Sequence, residues 1–409
     1  MKENESYRFD PVSPEVMADP GPRFAELAAK CPFYHYQGEA GDFWITSRTD
    51  EILKEVLVDS PVWSFKWGNA AKDTAHDTGI VTDPPFHNKF RNALLPGLNS
   101  SQIKRLQPRI ETLANELIDA MLLKSGGCLH DDFAMPLPAQ VMCMMLGAPL
   151  ENHQQYKLWA DELIMLMFHD AERGSHKAIF KVIYEHFMGL VADRRALLAK
   201  AGIEEPELHH LGDVISDDYI SRTLCARVEG RRFTDMEIVN VCTAFMTGGQ
   251  ETTTSLITNA VWRLLQDRSL WQRLQAQPEL IPVAVEESLR LDPPVLAHSR
   301  TSKCPVSMHG HDLPEHTKLM FSIAGVNRDP ERFANPERFD LDRPLNEARQ
   351  HIAFGSGVHF CIGAPVARLE AQIALKLLTT RLPQMQLQGD GTRIDTWLYW
   401  GRHSLPVSW

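Results

Sequence analysis

The sequence predicts a single, mainly α domain with a small β part, spanning residues 1–409. Three observations carry that reading. Apolar residues recur three or four apart through most of the stretch from Thr49 to about Leu291, the period of a helix with one buried face. Runs with strand character are few and short. No Gly/Ser/Pro-rich linker, internal repeat or low-complexity run divides the chain, and 44% hydrophobic with 23% charged residues suits a globular core throughout.

The elements follow in order. Phe33–Tyr36 and Asp42–Ser47 read as paired strands across a Gly-containing turn. Helical periodicity marks Ile103–Leu122, Tyr156–Phe168, Ala178–Ala199 and Thr234–Leu265. The longest uncharged stretch, Phe133 to Leu150, is broken by Pro136, Pro138 and Pro149, which leaves room only for a short buried helix near Val141–Leu146. Pro282 suits the first turn of a helix that Pro293 stops. A strand-rich stretch follows, roughly Leu296–Phe321, with Gly310 and Pro314 as turn residues. A Pro/Asp/Arg-rich loop, a Gly-rich loop, a helix over Ala364–Arg381 and a β-like tail to Trp409 complete the chain.

Acidic residues outnumber basic ones, 53 to 42, for a formal charge of −11. A nucleic-acid binder would carry a basic footprint, so that class is set aside. Seven cysteines are scattered with no C-x-x-C pair, a reduced, intracellular pattern. Lys2, Glu3, Glu5, Arg8 and Asp10 charge the first ten residues, so the expectation is a cytoplasmic protein with neither signal peptide nor membrane anchor.

Thr234 followed by Glu237 is a capping box that starts the longest helix at Asp235. Its periodicity runs to about Leu265, ~47 Å at 1.5 Å per residue. In its middle stand Gly248 and Gly249, each costing about 1 kcal/mol relative to Ala, followed by Thr252, Thr253 and Thr254. One reading is a kink or a tight helix crossing; the other is a flat or small group lying against the backbone. Ala244 and Thr252 share the Gly248 face, Thr247 borders it and Glu251 lies next to it. A carboxylate and a hydroxyl beside a glycine gap are placed to relay protons to a buried ligand.

Glu287 and Arg290, three apart on a helix, share a face. Such a pair is ordinarily a solvated ion pair of little worth, but Arg343 offers a third partner. More telling is Phe354-Gly-Ser-Gly-Val-His-Phe-Cys-Ile-Gly363, directly before a helix. Gly355 and Gly357 permit a tight loop close to a bulky group. Cys361 falls just before the helix amino end, where N–H groups and the dipole favour a protected thiolate. A nucleophile or a metal ligand both fit. Cysteine-protease flanks are missing beside His359, and His351, His359 and Cys361 are one short of a zinc set. An axial ligand to haem iron needs one cysteine only.

The loop resembles the F-x-x-G-x-H-x-C-x-G signature of the cytochromes P450, and in the soluble bacterial type the rest follows. Glu287-Ser-Leu-Arg290 is similar to the family's E-x-x-R, and Gly248-Gly249-Gln250-Glu251-Thr252-Thr253 to its oxygen-activation segment. Asp83-Pro-Pro-Phe-His87-Asn-Lys-Phe-Arg91 resembles its haem-propionate stretch. The motifs run in family order from 83 to 363. The resemblance implies haem b between the long central helix and the Cys361 loop, with Phe354 and Gly363 in that loop. It implies propionates met by His87, Arg91, Arg300 and His359, and a structural network of Glu287, Arg290 and Arg343. It also implies a monomer that takes electrons from a ferredoxin-type partner with its reductase and protonates dioxygen through Glu251 and Thr252.

By the same resemblance the substrate pocket is lined by Ala244, Thr247, Val295, Leu296, Trp397 and Leu398, with Phe65, Trp67 and the Leu163–Phe168 stretch as further wall. His298, His169 and Lys66 are the nearest polar side chains to that wall. The expected substrate is a small to medium, largely apolar organic molecule such as a terpenoid or aromatic, hydroxylated, O-dealkylated or epoxidised. Two other classes compete. A peroxygenase would use hydrogen peroxide directly but tends to lack the acid–alcohol pair present here; a haem-thiolate sensor would need an output segment, for which no spare chain is evident. His298, Cys304, His309, His311 and His316 crowd one stretch, yet turn residues between them suggest a solvated hairpin rather than a metal site.

Overall fold

A computed structural model describes residues 7–58, 61–68, 80–168 and 173–409, with 167, 168 and 173–177 described by backbone alone. The chain groups into two compact units, each assembled from separated stretches. One comprises Met1–His76, Ala114–Ala134 and Thr252–Trp409; the other comprises Asp77–Leu113 and Met135–Glu251.

The first unit holds nearly all of the sheet. Its five-stranded sheet has the order Phe33–Gly38, Gly41–Thr46, Lys318–Ser322, Ala297–Ser302, Trp63–Ser64. The first two strands form the expected antiparallel hairpin, Phe33 facing Thr46. Lys318–Ser322 then runs parallel to Gly41–Thr46, and antiparallel to Ala297–Ser302. The sheet buries Leu319 and Phe321 against Ile52, Val56, Trp63 and Ile323. The strand-rich stretch therefore splits between this sheet and a separate hairpin, Val306–Met308 with Met308 facing His311. The β-like tail supplies Arg402–Ser404, paired with Thr392–Arg393, and Pro406–Ser408, paired with Gln386–Leu387 and Gly126–Cys128. Two helices that the periodicity leaves unmarked, Pro14–Ala18 and Pro20–Lys30, precede the sheet, each opened by proline in its first turn.

Among the described residues, the second unit is mainly helical, with the two-residue strands Arg227–Val228 and Arg231–Arg232 and an isolated bridge between Leu211 and Ile215. The buried helix expected near Val141–Leu146 starts earlier, at Pro136, because proline in a first turn displaces no intrahelical bond. It ends at Gly147, whose φ of +69° is left-handed. A Cβ there would also lie 2.2 Å from Asp218 Oδ2 and 2.4 Å from Arg194 Nη2, so the end is set by glycine twice over. Arg194 and Asp218 form a buried ion pair at 2.7 Å, and the same Nη2 donates to the Gly147 carbonyl at 3.0 Å.

The long helix runs Asp235–Gln266, with Glu251 the last residue assigned to the second unit and Thr252 the first assigned to the other. Its capping box is present: Glu237 Oε2 accepts from the Thr234 N–H at 2.8 Å and Thr234 Oγ1 accepts from the Glu237 N–H at 3.2 Å. A helix over Ile281–Leu291 and one over Ala364–Arg381 complete the frame on which the site residues stand.

Candidate active site

The cysteine loop has the tightness that its glycines predict. Gly355 and Gly357 have φ of +69° and +66°, and a Cβ on Gly357 would lie 2.0 Å from the Leu57 carbonyl oxygen. The Cys361 N–H donates to the Phe354 carbonyl at 2.9 Å, closing the loop. Gly363 caps the helix Ala364–Arg381, its carbonyl accepting from Val366 and Ala367 at 3.0 Å. Cys361 itself is exposed rather than protected by the polypeptide.

Two of the four propionate candidates meet around one ring. Phe65 packs against the His359 imidazole, centroids 4.7 Å apart, and carries the Arg300 guanidinium 4.7 Å over its face. Phe65 thus stands beside Arg300 and His359. His298 shares the Arg300 side of the strand Ala297–Ser302, two residues away. Burial, with the Arg300 charge, pushes its pKa down to about 4, so it is a neutral ring. In the second unit, His87 and Arg91 lie one turn apart on the helix Phe86–Leu94, with His87 buried.

The long helix divides the work of its glycines. A Cβ on Gly248 would meet nothing within 4 Å, whereas one on Gly249 would lie 2.3 Å from Met142 Cε. The close-crossing reading belongs to Gly249, and the open face to Gly248. Ala244, Thr247 and Thr252 are half-buried, and the Thr247 hydroxyl donates to the helix's own Thr243 carbonyl at 2.9 Å. Glu251 is buried and accepts from Lys157 Nζ at 2.6 Å. Lys157 also pairs with Asp161. Burial pushes the Lys157 pKa down, but the two carboxylates more than offset this and raise it. Sequence reasoning missed Lys157, which stands 94 positions from its partner.

The ion pair of the E-x-x-R motif is buried. Glu287 Oε1 accepts from Arg290 Nε at 2.7 Å and Arg343 Nε at 2.9 Å; Oε2 accepts from Arg290 Nη2 and the Asp340 N–H, both at 2.9 Å. The solvated reading is excluded, since Arg290 and Glu287 are wholly buried. A second carboxylate went unnoticed. Glu286 accepts from Arg368 at 2.7 and 3.0 Å and pairs with His351 at 2.9 Å. Burial raises its pKa, but the His351 and Arg368 bonds outweigh that and hold it at about 2. The Arg368 guanidinium lies 4.6 Å over the Phe354 ring, so this network braces the loop at its first residue. The available signal was two adjacent glutamates on an apolar helix, which point to different sides and each need a partner.

The two wall segments pair with each other: Val295 bridges Tyr399, and the Leu296 N–H donates to the Leu398 carbonyl at 2.9 Å. Trp397 stacks on Phe43, centroids 5.6 Å apart. Lys66 is exposed and Trp67 packs its ring against His316 at 4.9 Å. Met165 is exposed; the side chains of Met167 and Phe168, and all of His169, lie outside the described residues. His309 pairs with Glu51 and His311 packs on Trp44; among the described residues no three metal-ligating side chains converge.

Comparison with known proteins accounts for this combination. The family model described as Cytochrome P450 matches residues 33–382. The chain belongs to the cytochrome P450 family. It is similar to the cytochrome P450 monooxygenase PikC of Streptomyces venezuelae, 31% identical over 408 residues, covering 97% of this chain and 92% of that one. Among solved structures, cytochrome P450 CYP109Q5 from Chondromyces apiculatus superposes with a TM-score of 0.83 at 29% identity, covering 98% and 97% of the two chains. CYP109E1 from Bacillus megaterium, solved in complex with testosterone, gives 0.80 at 28%, covering 95% and 99%. As a P450 the chain is a monooxygenase whose family implies haem iron. Its donor set fits that group: an exposed thiol before a helix amino end, and a guanidinium and an imidazole gathered on Phe65 for acidic substituents. Among the described residues of this P450, no helix is long and apolar enough to cross a membrane.

Proposed function

We propose that this P450, working as a single domain over residues 1–409 and as a cytoplasmic monomer, binds haem b through Cys361. It takes electrons one at a time from a ferredoxin-type partner with its reductase. One atom of dioxygen enters a C–H or C=C bond of a small to medium, largely apolar substrate such as a terpenoid or aromatic. The other leaves as water, with two electrons and two protons. The testosterone in the complex of the similar CYP109E1 is an apolar polycycle of this kind.

When bound, the haem supplies the activation of dioxygen and the oxidising power. The chain supplies the rest. Arg300 and His359, with His87 and Arg91, neutralise the propionates. Gly248 keeps the long-helix face clear of side chain, and the Thr252 hydroxyl, one turn on, receives protons that Glu251 carries. The apolar side chains of Val295, Leu296, Trp397 and Leu398 exclude water from the substrate. Glu287 and Glu286 hold the supporting segments still and take no part in the chemistry.

The observation that carries the reading is the exposed Cys361 thiol on its two-glycine loop. Cys361→Ser tests it. The reduced carbon-monoxide complex of the parent should show the red-shifted Soret band of thiolate ligation, and the variant should lose it. A band that survives would assign the ligand to another cysteine. A Soret-shift screen of terpenoids, aromatics and fatty acids tests the substrate class, and a tight response confined to long-chain carboxylates would contradict it.

A further inference from the structure

The long helix carries a second polar residue on the side of Thr252. Asn259 follows by seven residues, about two turns, and lies within roughly 20° of the same face. It is wholly buried, and its amide is almost fully used. Nδ2 donates to the Asp292 carbonyl at 3.1 Å and to the Trp400 carbonyl at 2.8 Å, and Oδ1 accepts from Arg402 Nη1 at 3.0 Å.

Those two carbonyls belong to the two segments that form the proposed wall. Asp292 precedes Val295 and Leu296; Trp400 follows Trp397 and Leu398. The segments are joined to each other by Trp400 N–H to the Pro294 carbonyl at 2.9 Å, by Leu296 N–H to the Leu398 carbonyl, and by the Trp400 indole to Asp292 Oδ1 at 3.2 Å. Between Thr252 and Asn259, Ser255 packs against the same segment: a Cβ on Gly401 would lie 2.0 Å from Ser255 Oγ and 2.7 Å from its Cβ. One side-chain amide therefore ties both wall segments to the helix at once. Among common side chains of this size only asparagine donates twice and accepts once; aspartate accepts alone and leucine does neither.

We propose that Asn259 is a positioning residue for substrate selection, fixing the distance between the Leu296/Leu398 wall and the Thr252 face of the long helix. This deepens the proposed function and rests on its assignment of the wall. Asn259 touches no reacting atom; it acts through the two backbone segments it holds.

Haem-loaded parent, Asn259→Asp and Gly401→Ala are compared with Leu378→Ala, a core substitution in the helix Ala364–Arg381 away from the clamp. Gly401→Ala pushes the same segment off the helix without touching the amide, so the proposal stays testable if Asn259→Asp does not fold. Amide hydrogen exchange is read at Leu296 and Trp400, at matched distance below each melting temperature. Binding of imidazole and of 4-phenylimidazole is read by Soret shift; both ligate haem iron, but only the larger reaches the walls. Exchange at Leu296 and Trp400 should quicken at least tenfold in the clamp variants. Their Kd for 4-phenylimidazole should rise at least fivefold relative to that for imidazole, with both readouts unmoved in Leu378→Ala. Unchanged exchange, or faster exchange with an unchanged Kd ratio, would overturn the proposal and leave Asn259 an ordinary core hydrogen bond. A parent that gives no Soret response to imidazole would instead overturn the haem reading, and the proposal with it.

Discussion

Lys157 Nζ lies 2.6 Å from Glu251 Oε2, with both side chains buried. The ammonium thus occupies an oxygen that a proton relay would use. Lys157→Met removes the group that holds this oxygen in place. Product formed per reductant consumed should then fall severalfold, while haem retention stays like the parent's. Unchanged coupling would mean that Glu251 does not carry the proton.

Thr252→Ala removes one hydroxyl and puts a better helix former in its place. Reductant and oxygen consumption should continue while hydrogen peroxide accumulates and product per electron pair falls severalfold. Turnover driven by added peroxide should suffer less. Unchanged coupling would contradict the role given to Thr252.

Glu287→Ala strands two buried guanidinium groups. The loss should be ~3–5 kcal/mol of stability, read by urea unfolding, with poor haem retention. Melting like the parent's would show that Arg290 and Arg343 find other partners.

Glu370 is buried, its Oε2 has no hydrogen-bond partner among the described residues, and burial pushes its pKa up to about 8. Between the ordinary carboxylate value and about pH 8 the folded chain holds a proton that the unfolded chain has shed, so stability falls as pH rises through that window. The contribution is on the order of 5 kcal/mol across it. Glu370→Gln, which cannot ionise, should flatten the dependence of unfolding free energy on pH between 5 and 8. An unaltered slope would assign it to other groups.

What was legible in the sequence was local or periodic. The helix Ala364–Arg381 has its predicted bounds, and the capping box at Thr234 starts the long helix one residue on. Arg343 was found as a partner of Glu287 because the motif supplied a charge in need of one. What escaped depends on distant pairing. Lys157 looks like any helix-surface lysine until the fold brings Glu251 to it, and Glu286 hid behind its neighbour's motif. The division between Gly248 and Gly249 likewise waits on where Met142 lies. Pro14–Lys30 went unread because prolines at 14, 20 and 22 mask helices too short for periodicity to mark.

The partners of Glu286 and Glu287 also bear on how the chain matures. Glu287 closes on Arg343, 56 positions later, and Glu286 on Arg368, 82 positions later. While a ribosome is still holding residue 368, the helix Ile281–Leu291 carries a carboxylate whose two-bonded partner, Arg368, is not yet available. The parallel strand pair sets the same condition from the other end, since Trp44 waits for Leu319. Contacts of such span are slow to close and late to be rewarded. The first compact unit therefore closes only once residue 368 has emerged. Chaperone demand should matter most in the interval before that, and a chain truncated before Arg368 should be degraded, not merely inactive.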